Sequence, residues 1–218
     1  MYTESTFSVI CKMKHNFFSY PTFYRLKDRP SKGAADMIAI LTSLPESILE
    51  KAVMEYIYEL GNTRQWDKLE EVLTRILAVD GCLNLKGEAL AFAVLMDTRR
   101  NDQRRAFDRY HELCCLKEDS TSYLVQRARA VSFLMQMDGG GMLRRVFDLW
   151  CELVCEKLPP EAQYICGRSG LLLIKNLFKN GEIAKARVVY RLFTHLSARI
   201  CASHIRAARV IFRKNGDR

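Results

Sequence analysis

From Pro45 onward, apolar residues recur three and four positions apart, and short polar runs interrupt them at even intervals. That periodicity marks helices that bury one face, because positions i, i+3 and i+4 lie on the same side of a 3.6-residue turn. A first hairpin over about 45–79 pairs a helix carrying Ile48, Val53, Ile57 and Leu60 with one carrying Trp66, Leu69, Val72 and Ile76. Gly61-Asn62 is expected to turn the chain between them, since both residues tolerate the left-handed conformation that ends a helix. A second hairpin spans about 85–116 and turns at Arg99-Arg100-Asn101, and a third spans about 121–157 and turns at Asp138 to Gly141. The fourth, about 160–196, turns at Lys179-Asn180-Gly181, and a terminal helix at 203–214 follows it.

The turns repeat. Lys179-Asn180-Gly181-Glu182 is echoed by Lys214-Asn215-Gly216-Asp217, and aligning Asn62, Asn101, Gly140, Asn180 and Asn215 gives steps of 39, 39, 40 and 35 residues. Self-similarity at roughly 20 to 50 residues is the signature of a solenoid, in which each unit buries its apolar face against its neighbours. The second helices repeat as well: Phe107 and Tyr110, Phe147 and Trp150, and Tyr190 and Phe193 each lie three apart. They are expected to form a core stripe against the helix before them. The fold class read from this is all-α, an antiparallel helix-hairpin solenoid of about nine helices filling a domain at 34–218.

Residues 1–33 break the pattern. They are basic, aromatic-rich and interrupted by Pro21 and Pro30. Two readings stand for this segment: an ordered extension packed on the first helices, or an organelle transit peptide.

Composition narrows the function classes. A content of 49% hydrophobic and 27% charged residues is that of a globular chain and excludes disorder. The longest strongly apolar stretch, 89–96, is far short of the roughly 18 to 20 residues that a membrane helix needs. Eight scattered cysteines without a secretory signal read as reduced, mostly buried thiols, so an intracellular protein is expected. The cytoplasm is the first location and the mitochondrion the alternative.

The net charge of +9 is uneven: residues 1–33 carry six Lys/Arg against two acids, 34–174 seventeen against twenty-one, and 175–218 eleven against two. A positive footprint at one end suits an anionic partner, or is a solvated face. The candidate surface is Lys185, Arg187 and Arg191 on one helix and Arg206, Arg209 and Arg213 on the next. The last three fall at helical spacing along one side.

Catalytic chemistry has no motif here, and no enzyme is expected. His15, His111, His195 and His204 lack a nucleophile and an orienting acid in any recognisable spacing. Gly139-Gly140-Gly141 lacks the Lys-Ser/Thr that completes a phosphate loop. Neither His111 with Cys114 and Cys115, nor Cys151 with Cys155 and Cys166, supplies the four ligands of structural zinc. Neither a cofactor nor a metal is expected.

The fourth unit resembles a pentatricopeptide or tetratricopeptide repeat in Leu173-Ile174, Leu177, Lys179, Gly181, Ile183, the small Ala186, Tyr190 and Phe193. The first unit, Leu60-Gly61-Asn62 with Trp66, Leu69 and Leu73, is similar to the tetratricopeptide form. The resemblance covers about 170 residues in steps longer than either family's usual unit. It implies a right-handed superhelix with a concave, ligand-binding inner surface, and for the pentatricopeptide family a single-stranded RNA ligand. The residue before Leu173-Ile174 is Leu172, which offers no hydrogen bond to a base edge. RNA binding would then be backbone-directed, through basic side chains. The leading expectation is a non-enzymatic adaptor that holds a protein partner in its groove, and the alternative is single-stranded RNA bound by the basic C-terminal face. Ser203 to Lys214 reads either as a polar cap, with its arginines facing solvent, or as the first helix of a further unit.

Overall fold

The computed structural model describes residues 56–78, 83–116, 121–137 and 140–215. The readings for residues 1–33, for the start of the first hairpin at 45–55, for Cys11 and Cys82, for Asp138-Gly139 in the third turn and for the Gly216-Asp217 end of the repeated turn lie outside them. Among the described residues the protein is all-α, without a strand. After helical residues 56–62 come α1 (Trp66–Ala78), α2 (Leu83–Arg99), α3 (Gln103–Cys115) and α4 (Thr121–Leu134). Then follow α5 (Gly140–Val154), α6 (Pro160–Lys179), α7 (Ile183–Leu192), a 3-10 turn (Phe193–His195) and α8 (Ala198–Asn215). The chain divides into two compact units, Met1–Val72 and Leu73–Arg218.

Within the first unit, Ile57, Leu60, Leu69 and Val72 are buried, the members of each pair three residues apart as a one-sided apolar face requires. Within the second, every other helix lies beside the last: α2 against α4, α4 against α6, and α6 against α8. Hairpin partners pack behind them, α3 on α2, α5 on α4 and α7 on α6. Helix α6 is thereby in contact with four others, α4, α5, α7 and α8.

Three of the turns are the same backbone motif. In each, the amide of the third residue past the helix end donates to a carbonyl five residues back: Gln65 to Leu60 (3.0 Å), Asp102 to Asp97 (2.9 Å) and Glu182 to Leu177 (2.8 Å). The preceding residue has a positive φ, 55° at Arg64, 58° at Asn101 and 75° at Gly181, and donates to the carbonyl three back. This pair of bonds satisfies carbonyls that a helix end would otherwise leave orphaned. The next helix begins two residues after the positive-φ residue every time, at Trp66, Gln103 and Ile183. The Gly61-Asn62 expectation is therefore corrected: both are helical, and Arg64 makes the left-handed step. An arginine there accepts a steric cost near 1 kcal/mol that glycine avoids.

Close approach, rather than bulk, sets the packing around α6. Trp150 on α5 is fully buried, and its indole N–H donates to the Cys166 carbonyl at 3.1 Å. Its ring lies where a side chain at Gly170 would stand: a Cβ there would meet Trp150 Cζ2 at 2.4 Å. One turn earlier, a Cβ at Gly167 would come within 2.9 Å of Cys201 Sγ on α8. Two glycines on α6 thus admit α5 on one side and α8 on the other.

The core stripe of second helices is present in part. Phe107, Tyr110, Trp150 and Phe193 are buried, while Phe147 and Tyr190 are only half-buried. Those two are each three residues before a buried ring and lie at the margin of the buried face. Phe147 lies beneath Lys185, and Tyr190 meets Phe212 with ring centroids 4.9 Å apart.

Candidate binding surfaces

Two arginines in the middle of the second unit, Arg127 and Arg129 of α4, are committed to structure. Arg127 of α4 is buried, and its guanidinium donates to Glu156 at 2.6 Å and stands 5.6 Å over the Tyr123 ring. Burial drives the Tyr110 hydroxyl well above the usual phenol range, with Arg127 as the opposing influence. Two residues on, Arg129 reaches the other way, holding both oxygens of Glu88 on α2 at 3.0 and 3.1 Å and Glu161 of α6 at 2.7 Å. Burial pushes the Glu88 carboxyl above its ordinary value even though Arg129 pulls it down. With Glu152 of α5 also 3.9 Å from Arg127, the one helix α4 is tied by ion pairs to α2, to α5 and the residues just after it, and to α6.

The basic C-terminal face is built differently. Arg206, Arg209 and Arg213 are exposed on α8, within an arc of roughly 60° opposite buried Ala208 and Cys201. Helix α8 begins at Ala198, so Arg199, also exposed, joins the same side and extends the row to about 21 Å. Arg187 and Arg191 are exposed one turn apart on α7. The two sets approach at the Tyr190–Phe212 ring contact, which Arg191 and Arg213 each follow directly in sequence. Lys185 stands apart from the other five: its ammonium lies 3.0 Å from the Glu182 carboxylate and 6.0 Å over the Phe147 ring. Among the described residues no salt bridge engages Arg187, Arg199, Arg206, Arg209 or Arg213.

A second surface was not singled out from the sequence. Helix α6 leaves one row uncovered: Tyr164, Arg168, Leu172 and Lys175, at spacings of four, four and three. Tyr164 is 51% exposed and Leu172 39%, both high for large apolar groups on so enclosed a helix. His204 of α8 meets the Tyr164 ring edge-on at 5.2 Å, which joins the row to the next helix. Burial, and then the charge of Arg168, hold the His204 imidazole below its usual pKa.

The cysteines are a mixed set. Cys166 and Cys201 are buried, Cys114 and Cys151 half-buried, and Cys115 and Cys155 exposed, so the expectation of mostly buried thiols holds for only part of them. Burial pushes Cys151 and Cys166 up to about 12, so both are protonated thiols at neutral pH and poor nucleophiles. Among the described residues no group of three or more His, Cys, Asp or Glu side chains could hold a metal ion. No described helix is long and apolar enough to cross a membrane. No family model, no curated protein and no solved structure matches the chain.

Proposed function

We propose that this chain is a non-enzymatic helical-repeat scaffold, an α-solenoid of tetratricopeptide or pentatricopeptide type, that docks a protein partner along the row of its first helices. The side-by-side order of α2, α4, α6 and α8, with second helices behind, supports the solenoid. The observation that carries the docking is the exposed row on α6: an apolar residue that water could have been spared is left uncovered between two cations. Apolar side chains interleaved with cations fit a docking surface in which burial and charge pairing act together.

A photo-crosslinking amino acid placed at Leu172, with Val188 as the exposed control on α7, tests this in native extract. Protein adducts at 172 and none at 188 are expected. Equal labelling of the two positions, or none at 172, removes the docking surface.

The unpaired arginines of α8 favour a second reading, backbone-directed binding of single-stranded RNA. Affinity for an oligouridylate would then fall log-linearly with salt, because each neutralised phosphate releases a counterion. Joint replacement Arg206→Glu, Arg209→Glu and Arg213→Glu would abolish it. Filter binding at two salt concentrations decides the matter, and no retention at low salt ends the RNA reading.

A further inference from the structure

We infer that the row Tyr164, Arg168, Leu172 and Lys175 on α6 receives an acidic amphipathic segment of the partner, one that presents apolar side chains flanked by carboxylates. The inference rests on the docking reading above and adds the chemistry of what docks.

The alternation itself is the first argument. Tyr164 and Leu172 are eight residues apart, about 12 Å along the axis, and Arg168 and Lys175 are seven apart, about 10.5 Å. A helix laid along this row would meet an apolar residue about every two turns and a cation between and beyond them. Apolar side chains at i and i+7 with Asp or Glu between them are the complement of that order.

Charge is the second argument. The nearest acid on the row's own face is Glu161, one turn before Tyr164, and its carboxylate is taken by Arg129 at 2.7 Å. No acid in the described part of α6 or α8 remains to neutralise Arg168 and Lys175, since α8 carries none. The surrounding segment, 175–218, holds eleven Lys/Arg against two acids, so the long-range field also draws an anionic partner and repels a basic one.

Leu172 separates the acidic protein from other polyanions. A phosphate backbone would gain from Arg168 and Lys175 but nothing from a 39% exposed leucine at the centre of the row. A partner side chain covering Leu172 gains the burial of both. His204 steadies the other apolar element by standing edge-on to the Tyr164 ring, so that ring is held rather than free to turn away.

The test is fluorescence anisotropy of the full chain at near-physiological salt with three labelled probes. These are an amphipathic peptide of about 16 residues made of Leu, Ala and Glu, its counterpart with every Glu changed to Lys, and an oligouridylate of similar length. The acidic peptide is expected to bind and the lysine counterpart to bind at least about thirtyfold more weakly. Leu172→Asp and Arg168→Glu are each expected to weaken the acidic peptide about tenfold or more. The exposed-surface controls Val188→Asp and Arg144→Glu are expected to leave it within about threefold, with unchanged circular dichroism and melting throughout. If the lysine peptide binds equally well and still depends on Leu172, the acidic partner is wrong while the docking surface stands. If neither peptide binds, both are overturned. If the oligouridylate alone binds and Arg168→Glu abolishes it, a nucleic acid occupies the row and the inference fails.

Discussion

Two helices of the second unit carry arginines and use them in opposite ways. On α4, Arg127 and Arg129 are drawn into the helix layer, each held by carboxylates on or just beyond neighbouring helices. On α8, Arg199, Arg206, Arg209 and Arg213 stand on one solvent face, and none is in a salt bridge among the described residues. The residue type is the same, so the difference lies in the neighbours. Helix α4 has α2, α3, α5 and α6 around it, three of which bring Glu88, Glu152 and Glu161 within reach, with Glu156 just past the end of α5. Helix α8 packs chiefly on α6, and among the described residues no salt bridge engages Arg199, Arg206, Arg209 or Arg213 on its outer side. The arginines of α4 therefore contribute to the fold, whereas those of α8 stand in solvent without a salt bridge among the described residues.

The largest expected effect is at Arg127. Replacing it by Leu removes the Glu156 pair and the stacking on Tyr123, and strips a partner from the buried Tyr110 hydroxyl. A loss of about 2 kcal/mol in urea unfolding is expected, below the cost of a fully buried pair because Glu156 still reaches water. A loss under about 0.5 kcal/mol would put Arg127 in the same class as the α8 arginines and dissolve the comparison.

Arg129→Met should cost less, about 1 kcal/mol, since both of its partners have some access to solvent. Its sharper readout is Glu88. That carboxyl is already raised by burial, so its native state holds a proton more tightly than the unfolded chain does. Stability linked to it is present at low pH and declines as pH rises through the native pKa. Removing Arg129 takes away the influence that lowers it, so the Glu88 titration seen by carboxyl NMR moves further up and the decline steepens. An unmoved titration would mean that the Arg129 pair is not formed in solution.

Smallest of all is the joint change Arg206→Ala, Arg209→Ala and Arg213→Ala. Stability should stay within about 0.5 kcal/mol or rise slightly, because like charges four apart on a helix repel by a few tenths. Thermal melting checks it. A drop as large as that of Arg127→Leu would mean that the α8 row is structural after all, leaving no surplus charge for a partner.

The helical class was legible because its signal is periodicity, which survives any choice among apolar residues. The left-handed steps at Asn101 and Gly181 fell within turns read from residue type, since Asn and Gly accept that backbone readily. The first turn was misplaced for the same reason: Gly61 and Asn62 looked suited to it, yet the hydrogen-bond pattern puts the step on Arg64, which no residue preference would nominate. The α6 row was hidden in a run of four apolar residues, Leu171 to Ile174. Periodicity says that some of these face a core, but only the four helices gathered around α6 decide that Leu172 is the one left out. Arg199 was missed because the last helix was expected to begin at 203, so its first turn was counted as connection.

The triplicated turn has a consequence for how the molecule could be taken apart and rebuilt. Its five-residue frame, helix end to next helix start, is held by main-chain bonds at the same places around Arg64, Asn101 and Gly181, with almost nothing in common among the side chains. Such a joint behaves as an exchangeable part. Grafting residues 178–182 in place of 61–65, which puts glycine where Arg64 now bends the wrong way for its Cβ, should leave the hairpin geometry untouched while relieving its steric cost. The turns set the spacing of helices without encoding their identity, which frees the helix faces, and α6 above all, to diverge.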